Sequence, residues 1–170
     1  MARSPAGSSA TCGSGSRAGT SPRTRGLMPQ TIVPFIAYED AAAAIEWLTT
    51  AFGFRENESA RMTGDHGVIG HAELDVGDGS VIYLASPTPD YHAPKRHREE
   101  CAAAARWSDN PWVIDGLCVQ VEDVDAHHAR AAAAGATVLR APEDVPDVGI
   151  RLWSGEDLEG HRWMFVNRAE

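Results

Sequence analysis

The chain has 170 residues, three cysteines and a formal net charge of -9. That length suits one domain, or two small half-domains sharing a core, and can bury roughly two thirds of its unfolded surface without an extra staple. The acidity argues against nucleic acid as a partner, because no basic stripe offsets the repulsion, and it favours cationic ligands or plain solubility.

Cys12, Cys101 and Cys118 have no CxxC spacing, so neither a disulfide framework nor a zinc knuckle is expected. No apolar run approaches the ~20 residues that span a bilayer. These features point to a soluble, cytoplasmic protein that contacts no membrane.

Residues 1–27 are rich in Ser, Gly, Ala, Arg and Pro. With almost nothing large and apolar to bury, they are expected to be a disordered tail, or a mis-assigned start ahead of Met28. The folded part, 28–170, begins with a strand over Thr31–Tyr38, placed at an edge or bulge by Pro34. Asp40 then caps a helix over 41–52, where Ala42, Ile45, Leu48 and Phe52 recur at helical spacing and Gly53 supplies the stop. Strands over Phe54–Arg61 and Val68–Val76 lead through an acidic Gly turn into Ser80–Ser86. This first unit, 30–86, reads βαβββ.

Residues 87–113 form an insertion with Pro87, Pro89 and Pro94, a basic patch (Lys95, Arg96, His97, Arg98) and a helical stretch over Glu99–Trp107. Its length makes it a candidate for function. The pattern then restarts over 114–168: strand Leu117–Val121, the same Glu-Asp stop, a helix over Val124–Ala134 ending at Gly135, and strands at Thr137–Arg140, Ile150–Trp153 and Arg162–Val166. Tyr38 and Val121 lie 83 residues apart and Gly79 and Gly160 lie 81 apart, which marks an internal duplication. The expected fold class is α+β, with two βαβββ modules, each a curved mixed sheet carrying a helix on its outer face.

Four segments carry a family resemblance: Phe52-Gly-Phe54, Val121-Glu-Asp-Val-Asp-Ala-His, Ala-Ala-Gly135-Ala-Thr-Val, and Asp157-Leu-Glu-Gly-His-Arg-Trp. With the paired modules, they resemble the vicinal oxygen chelate superfamily of glyoxalase I, extradiol dioxygenases and bleomycin resistance proteins. The resemblance implies that the strands curl into a trough. It also implies that metal-using members take His or Glu from the first and last strand of each module. Those positions fall on Val33, Tyr83, Gly116 and Met164, none an ordinary ligand for a hard divalent metal. No cofactor is therefore expected.

Strand alternation turns Ile32, Ile36, Leu117, Val119, Val121, Ile82, Leu84, Trp163 and Phe165 toward the helices. It turns Phe35, Ala37, Cys118, Gln120, Tyr83, Arg162 and Met164 toward the trough, a mixed set that suits a small-molecule pocket. Trp107, Trp112 and Trp153 add candidate stacking surfaces for a planar or cationic ligand. Of seven histidines, His71, beside Glu73, and His161 are candidates for chemistry, while His66, His92, His97, His127 and His128 are expected to be solvated or half-buried without a role.

The resulting expectation is a protein that binds a small aromatic or cationic molecule without a metal, in the manner of the bleomycin resistance proteins. The alternatives are a metal-dependent glyoxalase-like lyase or isomerase or a dioxygenase, with a divalent metal, and a regulatory binding module without turnover. Pairing of modules between chains, common in the superfamily, makes a homodimer the expected assembly.

Overall fold

Helix α1 (Ala41–Phe52) starts where the Asp40 carboxylate accepts the Ala43 N–H, and it stops at Gly53, whose φ of 75° only glycine adopts freely. The computed structural model describes residues 30–110 and 116–168, so the expectation for residues 1–27 and the role of Trp112 lie outside the described residues. Ahead of α1, strand β1 (Phe35–Ala37) is shorter than the sequence suggests. Pro34 has no N–H to contribute, and Ile32 is 82% exposed ahead of the strand rather than turned toward the helix. The helix buries Ala41, Ala44, Ile45, Leu48, Ala51 and Phe52; Ala42 faces solvent.

After α1, the expected single strand over Phe54–Arg61 is two short ones, β2 (Arg55–Glu56) and β3 (Met62–Thr63), separated by a 3-10 turn over Glu58–Ala60. Strands β4 (Ile69–Gly77) and β5 (Ser80–Ala85) complete the first module. The sheet order is β1-β5-β4-β2, with β1 parallel to β5. The insertion holds two helices, α2 (Pro94–Glu100) and α3 (Ala102–Ser108), because Cys101 between them is extended. In the second module β6 (Leu117–Gln120) precedes α4 (Val124–Ala133), which Asp123 caps through the Ala126 N–H. Strands β7 (Thr137–Val145), β8 (Ile150–Glu156) and β9 (Arg162–Arg168) follow, in the order β6-β9-β8-β7. Two α+β modules with curved sheets are thus present, and β7 and β8 run further than their expected ends. Among the described residues no helix is long and apolar enough to cross a membrane.

One core serves both modules. Ile36, Ile82, Leu84, Val119, Trp163 and Phe165 are buried in it, and Leu117 and Val121 pack against it partly covered. Phe52, at the end of α1, meets Phe165 and Trp163 of the other module at ring-centroid distances of 4.7 and 5.5 Å. Here the expectation for His127 fails: it is buried in this seam. Its Nε2–H donates to the Phe52 carbonyl at 3.1 Å, and its Nδ1 accepts the Trp153 indole N–H at 3.2 Å. A helix face of Val124, His127 and Ala131 at three-to-four-residue spacing explains the burial. Arg130, one turn on, donates to the Ala51 and Phe52 carbonyls, so one guanidinium and one imidazole close the C-terminus of α1.

Burial, helped by the nearby Arg130 charge, lowers the His127 pKa from 6.5 to about 4. Between those two values the unfolded chain binds a proton that the folded chain refuses, so acid favours unfolding there. Thermal melts from pH 7 to pH 4.5 should therefore show His127→Gln losing less stability with acid than the parent protein. Equal slopes would remove His127 as the titrating group.

Candidate functional site

Within each module's sheet, strand register sets the residues of the open face side by side. Across the first sheet Phe35 lies beside Tyr83, and Tyr83 beside Glu73. Across the second, Cys118 lies beside Met164, and Met164 beside Ser154. The side chains flanking them along each strand, Ile82 and Leu84 or Trp163 and Phe165, are locked in the core. Alternation thus leaves one row per module on the open face.

The register adds two residues to the expected four. The residues beside Tyr83 and Met164 are Phe35 and Cys118, two places on from Val33 and Gly116. The donor chemistry changes little. Phe35, Tyr83, Cys118 and Met164 offer an aromatic ring, a phenol, a thiol and a thioether, which do not fit a hard divalent ion. Among the described residues no three His, Cys, Asp or Glu side chains come together in a way that could hold a metal.

On the first module's face His71 and Glu73 are each about three-quarters covered, with His71 Nε2 3.4 Å from Glu73 Oε1. Asn57 Nδ2 donates to the other Glu73 oxygen at 3.2 Å, and the His71 ring stands edge-on to Tyr83 at 4.8 Å. The second module's face is more apolar. Leu152 and Val166, cross-strand partners there, are both buried yet stand apart from the shared core. Sequence reading missed Leu152 and Ser154 because the parity of β8 follows only from Trp153 standing opposite Phe165.

Three expected site residues behave differently. Trp153 is fully buried on the helix side, stacked on Phe165 at 4.9 Å, rather than presented on the open face. His161 is buried in the β8–β9 turn, where its Nε2–H donates to the Ala37 carbonyl at 2.9 Å and its ring meets Tyr38. Arg162 does sit on the open face, but its guanidinium is engaged. Nε bonds Glu156 at 3.1 Å, Nη1 the Asn110 carbonyl at 2.9 Å and Nη2 the Ser108 carbonyl at 2.6 Å. Phe35, Cys118, Gln120 and Trp107 are exposed, and Tyr83 and Met164 are partly covered.

Two shallow adjoining cavities of ≈ 340 and ≈ 360 Å³ lie where the β4–β5 turn meets β6. Gly77, Asp78 and Gln120 line both, joined by Ser80 and Cys118 in one and by Glu122 and Asn167 in the other. Both modules therefore contribute walls to the same hollow. A third, ≈ 410 Å³, lies by the β7–β8 turn against Val145, Pro146 and Ile150.

Residues 30–165 match the family model described as the Glyoxalase/Bleomycin resistance protein/Dioxygenase superfamily, and the chain belongs to that superfamily. Among curated proteins it is 31% identical over 139 residues to an uncharacterized protein of Mycobacterium bovis, covering 76% of this chain and 78% of that one. Among solved structures it is similar to TioX from Micromonospora sp. ML1, with 33% identity, a TM-score of 0.59, and 83% of this chain and 98% of that chain covered. A glyoxalase/bleomycin resistance protein/dioxygenase family enzyme from Burkholderia phytofirmans PsJN shares the fold at 23% identity and a TM-score of 0.55, over 79% and 95% of the two chains.

The two faces of β9 should respond differently to truncation. Met164→Ala, on the partly open face, is expected to cost below about 2 kcal/mol, whereas Trp163→Ala, buried against Phe52 and Phe54, should cost about 3 to 5 kcal/mol. Denaturant titration of both variants measures this, and equal large losses would mean that the open face is in fact a packed core.

Proposed function

We propose that the chain binds a small planar aromatic molecule, neutral or cationic, against the open faces of its modules and does so without a divalent metal. The observation that carries this reading is the pair of cross-strand rows, Phe35–Tyr83–Glu73 and Cys118–Met164–Ser154. They combine ring surface, a polarizable thioether and one carboxylate with a donor set unsuited to a hard cation. The acidic surface favours the cationic members of that class. The reading places the protein in the cytoplasm, where Cys101 and Cys118 stay free thiols. It also takes the working form to be a homodimer, since Met62 and Val68 are exposed on the first module and a second copy would cover them.

A second reading, an enzyme, rests on the His71–Glu73 pair. The carboxylate, steadied by Asn57, could orient the imidazole for proton transfer beside the Tyr83 phenol. Turnover lost in both His71→Gln and Glu73→Gln, with ligand affinity kept, would favour it over simple binding.

Fluorescence titration with proflavine, a planar aromatic cation, tests the first reading. Saturable binding should survive treatment with EDTA and weaken at least fivefold in Tyr83→Ala. Absence of binding, or stoichiometric Zn, Fe, Ni or Mn in the purified protein together with loss of binding on chelation, would sink it. Light scattering should give twice the chain mass.

A further inference from the structure

The insertion is attached to the rest of the chain in two unlike ways. At its near end Ala93 is buried, and its N–H donates to Glu39 Oε1 at 2.8 Å. The Lys95 N–H reaches the Glu159 carbonyl at 2.9 Å, and Lys95 backbone lies so close to Gly160 that a Cβ there would meet it at 2.8 Å. Beyond that point neither α2 nor α3 buries a single residue. The far end is held by polar bonds. Arg98 makes a two-pronged pair with Glu156 at 2.9 and 2.6 Å, and Arg162 grips the Ser108 and Asn110 carbonyls.

We propose that α2 and α3 form a clasp that lifts as a unit from the Arg162 end of the second module's face and so gates access to it. Segments with little buried apolar area open at a free energy far below that of global unfolding. Glu156, only 4% exposed, is the element that makes opening cheap, because two guanidiniums share it. One, Arg98, belongs to the clasp. The other, Arg162, is its cross-strand partner within the sheet. When the clasp lifts, Arg98 moves into water while Glu156 and Arg162 remain paired, so no buried charge is left alone, which is the penalty that usually locks such networks shut. Arg162 meanwhile loses two main-chain carbonyls and turns two N–H donors toward the trough. Trp107, 66% exposed and one residue before Ser108, rides on the moving end.

The lifting is independent of any ligand, whereas the gating rests on the binding reading above. Hydrogen exchange of the full-length protein carrying Arg98→Gln tests the first. Amides of residues 95–108 should exchange at least tenfold faster than in the parent, those of β4, β5 and α1 should be unchanged, and Arg98→Lys should fall between. Unchanged exchange in 95–108, or equal acceleration in the core strands, overturns the clasp. Stopped-flow mixing with proflavine tests the second: Arg98→Gln should raise the association rate at least fivefold, and an unaltered rate with faster exchange overturns the gate. If the parent protein binds no proflavine, the binding reading and the gate fall together, and the exchange result still decides the clasp.

Discussion

A single buried carboxylate sets how the pieces of this fold meet. Asp157, in the turn between β8 and β9, accepts the Tyr38 hydroxyl at 2.7 Å and the Trp163 indole N–H at 3.0 Å on one oxygen. The other oxygen takes the backbone N–H groups of Glu159 and His161. Four donors satisfy a charge that would otherwise be ruinous to bury, and bonds to an ionised acceptor are worth more than neutral ones. Because the donors come from the first module, the last strand and the turn itself, the bond set fixes the register between modules. The neighbouring Glu159 side chain extends the joint, accepting the Glu39 and Asp40 N–H groups that open α1. Burial pushes its carboxyl pKa up even so. Gly160, at φ 90° and against Lys95, then lets the insertion dock on the same turn.

The duplicated turn of the first module shows what the second one gained. Asp75 uses one oxygen on the Gly77 N–H, much as Asp157 uses one on Glu159, but its other oxygen pairs with Arg55 at the surface. An exposed pair of that kind contributes little to stability. The β4–β5 turn therefore stays in solvent and lines the hollow beside β6, while the β8–β9 turn is pinned in the core and carries the insertion. Two copies of one design thus divide the labour: one turn shapes a cavity, the other organises the chain.

Much of this was legible in the residues themselves. Asp40 with Gly53, and Asp123 before Val124, mark helix starts and stops through local chemistry, and alternation in β5 and β9 separates core from open face without tertiary information. What failed depended on pairing. Trp153 looks like a cleft ring until β8 is set opposite Phe165. His127 sits in an Ala-rich helix with a weak apolar stripe, so nothing local showed which face would meet Phe52. Arg162 was placed on the correct face, yet its guanidinium is consumed by carbonyls of an insertion whose docking no short motif encodes.

The same alternation explains why family membership settles the scaffold and leaves the reaction open. Each candidate side chain is flanked by residues that cannot move: Tyr83 by Ile82 and Leu84, Met164 by Trp163 and Phe165. The backbone beneath the site is held by packing on its far face, so exchange of an open-face residue alters chemistry at small cost to the fold. Half-open positions tolerate that exchange because they fill no core volume. A histidine or glutamate at Tyr83 or Met164 would turn these rows toward hard-metal chemistry, and the phenol and thioether found there turn them toward ring surface and soft contacts. The rigidity needed to present a ligand site and the freedom to change what it presents therefore come from opposite faces of the same strands.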